Sequence, residues 1–157
     1  MPNLKVLRIH PEAKLPQKVF EADACFDLYC LEDFNIEVFE TKLIRTGLRF
    51  EIPDGFDLDI REKSGLATKG IIIGGGVVDS VYRGEIQIVM RFLDNKVMRI
   101  NSDGKPVAMR VIKFEAGDKI AQCKLVSKIP TAIVEITESE FNANTERSSG
   151  GFGSSGR

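Results

Sequence analysis

The chain has 157 residues, of which 43% are hydrophobic and 29% charged, a composition typical of a single globular domain. The 22 basic and 23 acidic residues leave a net charge of −1, which argues against stable, broad nucleic-acid binding because that requires a large basic excess. No apolar run reaches the roughly 18 residues of a membrane span, and residues 1–10 lack a signal pattern. We therefore expect no membrane association and a cytoplasmic location, or a nuclear one if the source is a eukaryote or its virus.

Short apolar stretches with a period near two run along the chain and predict β-strands. They lie at 5–9, 34–38, 43–52, 56–60, 85–92, 97–100, 107–114, 120–126 and 132–136. Gly47 interrupts the third stretch and predicts a bulge. The best helix candidate is short, from Ser64 to Lys69. Because Gly, Pro, Asp and Asn separate the stretches at short intervals, the pattern indicates an all-β barrel or sandwich.

The cysteine and histidine content limits the chemistry. Cys25, Cys30 and Cys123 form no CxxC pair, which argues against a disulfide scaffold or a zinc site and favours buried or half-buried free thiols. A single histidine, His10, cannot supply a histidine cluster or a histidine-based triad. Any chemistry should therefore depend on carboxylates, a bound cation, or both.

The last eleven residues differ in composition from the rest. Residues 147–157 contain four Gly, four Ser, two Arg and one Phe, too much Gly and Ser to hold a fixed structure unaided. We predict one domain over 1–146 and a flexible tail over 147–157. An aromatic ring and cations on a flexible strip suit a lid that orders over a base and its phosphates.

Four internal segments carry chemically useful residues, at 24–28, 61–70, 74–85 and 117–122. Taken singly, each has an ordinary interpretation. Asp27 on an alternating strand is usually a solvated carboxylate, and the sequence 63–65 is either a helix start with Ser64 as N-cap or a phosphate site. The glycines at 74–76 form either a turn or a place where backbone approaches a flat ligand closely. Asp79 and Tyr82 stand three residues apart beside this glycine run.

The order of the four segments, followed by Gly-Gly-Phe-Gly-Ser at 150–154, resembles the five ordered motifs of the trimeric deoxyuridine triphosphatase (dUTPase) family. The resemblance extends over about 22–155. It implies an all-β, jelly-roll-like barrel that assembles as a homotrimer with its sites between subunits. It also implies Mg²⁺-dependent hydrolysis of dUTP to dUMP and pyrophosphate, which keeps uracil out of DNA and supplies dUMP for thymidylate synthesis.

The resemblance also implies roles for individual residues. Asp79 would orient and deprotonate the attacking water, and Tyr82 would pack against deoxyribose and exclude a 2′-hydroxyl. A hairpin around Gly76 to Gly84 would read uracil through backbone donors and acceptors. Asp27 would help to organise the Mg²⁺-bound triphosphate, through water. The base and sugar contacts would come from Gly76, Val78, Tyr82 and Phe152, and the phosphate contacts from Lys63, Ser64, Gly65, Gln122, Arg147, Gly153 and Ser154.

Two departures from the family pattern leave questions open. Glu62-Lys63 replaces the usual Pro-Arg, so the bidentate guanidinium fork is lost, and Arg61 is a candidate to compensate. The connection 94–110 is longer than usual and predicts a hairpin tipped by Asp103-Gly104. That insertion is either a surface elaboration or an arm that binds a partner protein.

Two other functions are compatible with the same scaffold. A dCTP deaminase needs a proton-shuttling Glu about ten residues after Asp79, where this chain has Val89. A trimeric nucleotide-binding regulator would not need catalysis, and Asp79, Tyr82 and the tail argue against that loss. The 94–110 segment leaves open a regulatory role in addition to catalysis.

Overall fold

The structure is a computed structural model that describes residues 2–94, 99–100, 102, 104, 106–107 and 110–141. These residues form twelve strands and one short helix, α1 (Ser64–Ala67). The strands are β1 (Lys5–Arg8), β2 (Phe26–Tyr29), β3 (Phe34–Glu37), β4 (Thr41–Glu51), β5 (Phe56–Arg61), β6 (Ile71–Gly74), β7 (Val77–Val78), β8 (Glu85–Phe92), β9 (Arg99–Ile100), β10 (Pro106–Val107), β11 (Val111–Phe114) and β12 (Lys119–Ser127).

Two four-stranded sheets make up most of the fold. The first sheet has the order β1-β4-β8-β6 and the second β2-β12-β5-β7, and every neighbouring pair is antiparallel. Two smaller ladders join β3 to β11 and β9 to β10. The prediction of an all-β fold is therefore confirmed. In the described part of the chain, no helix is long and apolar enough to cross a membrane.

One hydrophobic core lies between the two sheets. Alternation along β8 buries Ile86, Ile88, Met90 and Phe92, while the intervening side chains point away from the core. The inner faces of β2, β5 and β12 join the same buried cluster from the other sheet. Burying one large apolar side chain stabilises a fold by about 1.5–3 kcal/mol, and this contribution is the main one that holds the two sheets together.

Several local predictions are confirmed. Gly47 adopts a φ of +70°, and the β4–β8 register shifts between Arg45 and Arg49, as a bulge requires. All three cysteines are free; Cys25 is half-buried, while Cys30 and Cys123 are buried. Burial raises the pKa of the Cys123 thiol to about 12, so it remains protonated at neutral pH.

Other predictions need correction. The helix ends at Ala67, and its N-cap is Lys63, without a side-chain capping bond, whereas Ser64 is already helical. The stretch 107–114 divides into β10 and β11, with Arg110 between them. The predicted strand at 132–136 is wrong: this stretch has no strand neighbour among the described residues, and its apolar side chains are exposed. The boundary proposed at 146/147 and the whole tail lie outside the described residues.

Residues 76–84 lie in the connection of a wide hairpin whose arms, β6 and β8, pair antiparallel up to Gly74 and Val89. β7 pairs with β5 in the second sheet, whereas β8 pairs with β4 and β6 in the first. The residues between β7 and β8 therefore cross from one sheet to the other. The crossing starts where Ile60 N–H donates to the Gly76 carbonyl at 2.7 Å. A Cβ on Gly76 would lie 2.2 Å from the Ile60 carbonyl oxygen, so this approach requires glycine.

We predict that Gly76→Ala lowers the free energy of unfolding by about 1–3 kcal/mol, because the added methyl group forces two backbones apart. Gly65→Ala is the matched control, since nothing lies within 4 Å of the position its Cβ would take. Denaturant unfolding measures both variants. Equal stability of the two variants would contradict the proposed steric constraint.

Candidate active site

A cavity of about 280 Å³ lies where the chain crosses between the sheets. Asp79 and Tyr82 of the crossing segment face it together with groups from β4, β7 and β8. Its volume is close to the lower limit of ordinary small-molecule pockets. The complete lining is Leu43, Gly75, Val77, Val78, Asp79, Tyr82, Glu85, Ile86 and Gln87.

Hydrogen bonds within the crossing segment fix its shape. Tyr82 N–H donates to the Asp79 carbonyl at 3.0 Å, and the Tyr82 hydroxyl donates to the Glu85 carbonyl at 3.1 Å. Tyr82 Oη lies 2.2 Å from where a Cβ of Gly84 would be, so the aromatic side chain packs directly on that glycine. The Arg83 guanidinium donates to the carbonyls of Ser80 and Tyr82 at 2.6 and 2.9 Å. The tyrosine is therefore held in one orientation beside the cavity.

The groups around the cavity remain open to solvent in this single chain. Asp79 is exposed, and Tyr82, Val77 and Val81 are 46%, 73% and 83% exposed. Such apolar exposure beside a carboxylate leaves surface for a ligand or a second protein chain to cover.

A second group of polar residues surrounds Asp27 on β2. The carboxylate is buried, Lys63 contacts its Oδ1, and Lys119 Nζ lies 2.7 Å from its Oδ2. Burial acts to raise the pKa of Asp27, but hydrogen bonds from Lys119 and Lys63 outweigh burial and hold that pKa below its ordinary value of 3.8. The same bond raises the pKa of Lys119. Both ammonium groups are therefore held beside the Asp27 carboxylate.

Hydrogen-bond donors lie next to these two lysines. Gln122 pairs with Asp27 across the β2–β12 ladder, and its amide donates to the Glu62 carbonyl at 2.9 Å. The backbone N–H groups of Ser64 and Gly65 donate to no other group in the described part of the chain. Two cations with unused N–H donors form an environment that suits phosphate oxygens.

Arg61, the candidate to compensate for the lost arginine, forms an ion pair within its own strand, and its role in phosphate binding stays a prediction. Its guanidinium Nε lies 2.9 Å from Asp59 Oδ2 on the same strand, and the side chain is largely exposed. Lys119 is a second cation beside Lys63, because both lysines contact Asp27. The sequence contained this lysine within the segment 117–122, but nothing in the pattern indicated that it would share Asp27 with Lys63.

The described residues contain no group of three or more acidic, cysteine or histidine side chains that could hold a metal ion. Each oxygen of Asp27 already contacts an ammonium group, so this carboxylate does not fit a direct Mg²⁺ ligand. A water-mediated contact to a triphosphate-bound Mg²⁺ uses only the remaining lone pairs, and that role of Asp27 stays a prediction.

The predicted site residues thus fall into two groups. Val78, Asp79 and Tyr82 line the cavity, but Gly76 does not, because its backbone packs against β5 instead. The phosphate candidates Lys63, Ser64, Gly65 and Gln122 gather around Asp27 at the opposite side of the second sheet. The cavity residues that the sequence analysis missed are Leu43, Gly75, Val77, Glu85, Ile86 and Gln87. The predicted contacts from Arg147, Phe152, Gly153 and Ser154 lie outside the described residues.

We predict that Asp27→Asn lowers the free energy of unfolding at neutral pH by about 1–3 kcal/mol, because two cations lose their buried partner. Since the folded-state pKa of Asp27 is lowered, its contribution is complete above about pH 4 and lost as the pH falls through the folded-state pKa. In denaturant unfolding, the difference in the free energy of unfolding between Asp27→Asn and wild type should therefore shrink as the pH falls below about 4. Glu51→Gln, which breaks an exposed pair with Lys5, should change stability little. A difference for Asp27→Asn that is constant with pH would contradict this account.

Comparison with known proteins identifies the family of this chain. The dUTPase family model matches residues 11–156. Deoxyuridine 5′-triphosphate nucleotidohydrolases from Picosynechococcus sp. and Wolinella succinogenes are 36% and 37% identical to the chain; each alignment covers 98% of the chain, and 99% and 94% of the respective relative.

Solved structures show the same fold. The Staphylococcus bacteriophage 80alpha dUTPase with dUPNHPP superposes with a TM-score of 0.80 at 28% identity, and the match covers 99% of each chain. A dUTPase from phage phi11 of S. aureus has a TM-score of 0.73 at 24% identity and matches over 90% of this chain and 99% of its own. The jelly-roll-like architecture is therefore confirmed, and the chain belongs to the dUTPase family.

Proposed function

We propose that this chain is a dUTP diphosphatase that hydrolyses dUTP to dUMP and pyrophosphate. The observation that carries the proposal is the cavity in which the Asp79 carboxylate and the fixed Tyr82 ring face the same space. Family membership and the names of the bacterial relatives support the same substrate. In a cell, the reaction would remove dUTP from the precursors of DNA and supply dUMP for thymidylate synthesis.

Asp79 is the proposed general base. Its exposed carboxylate takes a proton from a water molecule, whose oxygen then forms a bond to the α-phosphorus while the bond from that phosphorus to the bridging α–β oxygen breaks. Pyrophosphate leaves with the electron pair of that bond. A carboxylate within about 3 Å of the water is sufficient for this step.

Tyr82 and the neighbouring backbone are the proposed source of selectivity. The Tyr82 hydroxyl is held by the Glu85 carbonyl and the ring packs on Gly84, so the ring would stay against the deoxyribose and exclude a 2′-hydroxyl. Backbone groups around Val78 would read the uracil edge. Cytosine exchanges an acceptor for a donor there and would leave a buried group unpaired, and such mismatches reduce kcat/KM by about 10⁴–10⁵.

Lys63, Lys119, Ser64, Gly65 and Gln122 are the proposed phosphate ligands. A triphosphate carries roughly four negative charges, and the two ammonium groups offset part of them. Lys119 would supply part of the positive charge that an arginine provides in the family's usual Pro-Arg pattern, where this chain has Glu62-Lys63. A bound Mg²⁺ would neutralise further charge on the phosphate oxygens, and Asp27 would face it only through water. A structure of a phage phi11 dUTPase variant describes a structural Mg(II) ion in that protein.

We also propose that the enzyme is a homotrimer with its sites between subunits. In one chain, Asp79 follows β7 and Asp27 lies on β2, and these strands are opposite edges of the same four-stranded sheet, about 14 Å apart. The cavity opens over the other sheet, near Leu43 and Gln87. One nucleotide would contact both groups most easily if they came from different subunits.

Exposed apolar side chains support an assembly. Beyond β12, Ile129, Ile133, Val134 and Phe141 are between 65% and 101% exposed on a segment without strand partners among the described residues. A neighbouring subunit would cover them, and the tail contacts predicted for Arg147, Phe152, Gly153 and Ser154 would then reach a site on another chain.

The two alternative functions, a dCTP deaminase and a nucleotide-binding regulator, have less support than dUTP hydrolysis. Val89 stands where a deaminase would need its Glu, and its side chain lies near Gly74 and Gly75 at the edge of the cavity. In the 94–110 segment, β9 pairs with β10. The two ends of the segment are joined by an ion pair of 2.6 Å between Arg110 Nη1 and Asp94 Oδ2. Binding of a partner protein by this segment stays a prediction.

A nucleotide panel with Mg²⁺ tests the proposed function. We expect pyrophosphate release from dUTP and much lower kcat/KM for dCTP, dTTP and UTP. Release of orthophosphate from dUTP would mean attack at another phosphorus and would contradict the assignment, as would equal use of dUTP and UTP.

Asp79→Asn tests the general base. We expect this variant to fold and bind dUTP, with kcat at least ~10²-fold lower because the proton acceptor is gone. Asp54→Asn, an exposed aspartate in the turn before β5, is the control and should behave as wild type. Near-normal turnover by Asp79→Asn would show that another group activates the water.

A further inference from the structure

Lys128 connects the end of β12 to the segment that carries Asp79. Its ammonium nitrogen lies 2.9 Å from Asp57 Oδ1 and donates a hydrogen bond to Ser80 Oγ at 3.0 Å. Its backbone N–H donates to the Gly55 carbonyl at 2.7 Å. Both the backbone and the side chain of this residue are therefore fixed, although it comes directly after the last strand.

Asp57 explains why the ammonium group stays in this place. Its Oδ1 is buried and accepts no well-directed hydrogen bond from the described residues, so the ion pair with Lys128 is what offsets its charge. A buried carboxylate oxygen without a compensating partner is costly. Swinging the lysine into solvent would leave that oxygen uncompensated, which favours the orientation that also reaches Ser80.

Ser80 is the residue after the proposed general base, and it is held on two sides. Lys128 donates to its hydroxyl, and Arg83 donates to its carbonyl at 2.6 Å. On the other side of Asp79, Val78 pairs with Leu58, the neighbour of Asp57. The residues on both sides of Asp79 are therefore connected to β5. Val78 is connected by strand pairing, and Ser80 is connected through Lys128.

We propose that Lys128 is a positioning residue that fixes the carboxylate of Asp79 through Ser80. This inference rests on the proposed function, since it assumes that Asp79 activates water. A misplacement of about 1 Å in a reacting group can cost on the order of 10²-fold in rate. Loss of the hydrogen bond to Ser80 should therefore lower kcat, while the affinity for dUTP, which depends on other contacts, changes little.

Steady-state kinetics of matched variants test the proposal. Ser80→Ala removes the hydroxyl that accepts the hydrogen bond but keeps the Lys128–Asp57 ion pair. We expect its kcat to fall about tenfold, with KM within about twofold of wild type. Ser80→Thr keeps a hydroxyl and should restore most of the lost rate. Lys128→Gln should lower kcat as Ser80→Ala does, and Lys128→Arg should rescue it.

Two further proteins separate positioning from folding. Lys128→Gln leaves Asp57 without its cation and can destabilise the fold, so the double variant Asp57→Asn with Lys128→Gln removes both charges together. We expect the double variant to fold and to keep the low kcat. Lys113→Gln, an exposed lysine on β11, is the matched control and should behave as wild type.

The outcomes are distinguishable from a failure of the proposed function. If wild type does not hydrolyse dUTP, the function fails and the role of Lys128 fails with it. If wild type is active but Ser80→Ala and the double variant keep wild-type kcat, only the positioning role is overturned. If these variants instead raise KM about tenfold and leave kcat unchanged, the positioning role is also overturned, since Lys128 would then act on substrate binding.

Discussion

The contact between the backbones of Gly76 and Ile60 is the constraint on which the site depends. Because Gly76 has no Cβ, its carbonyl accepts a hydrogen bond from Ile60 N–H and β7 joins the edge of β5. β8 must then begin in the other sheet, where its apolar alternation fills the core. The intervening residues cross between the sheets, and this crossing brings Asp79 and Tyr82 to the cavity.

Three lysines around the site share one physical feature: each is held by a carboxylate of this chain. Asp27 holds Lys63 and Lys119, and Asp57 holds Lys128. Fixing charged groups in advance reduces the reorganisation needed when an anionic substrate binds. The two carboxylates thereby hold otherwise flexible lysine side chains as positioned positive charges, two at the proposed phosphate site and one beside the proposed general base.

Sequence patterns predicted those elements whose position can be read from a short stretch of residues. Alternation gave β8 its observed bounds, and Gly47 marked the bulge in β4. The stretch 132–136 alternates in the same way but forms no strand, because alternation reports an apolar face without reporting what covers it. The sharing of Asp27 by Lys63 and Lys119, and the approach of Gly76 to Ile60, join residues far apart in sequence. Only the sheet order brings such pairs together, so no local pattern contained them.

Refolding two inactive variants together tests most directly whether Asp79 and the lysine group act on one nucleotide from different chains. Asp79→Asn lacks the base, and Lys63→Ala lacks a phosphate cation; each alone should hydrolyse dUTP very slowly. After unfolding and refolding in equal amounts, about a quarter of the sites should combine an intact Asp79 with an intact Lys63 from another chain. Activity near a quarter of the wild-type value is the predicted result. Absence of recovery, with mixed assemblies shown to have formed, would contradict the shared site, because parts from a single chain cannot complement each other.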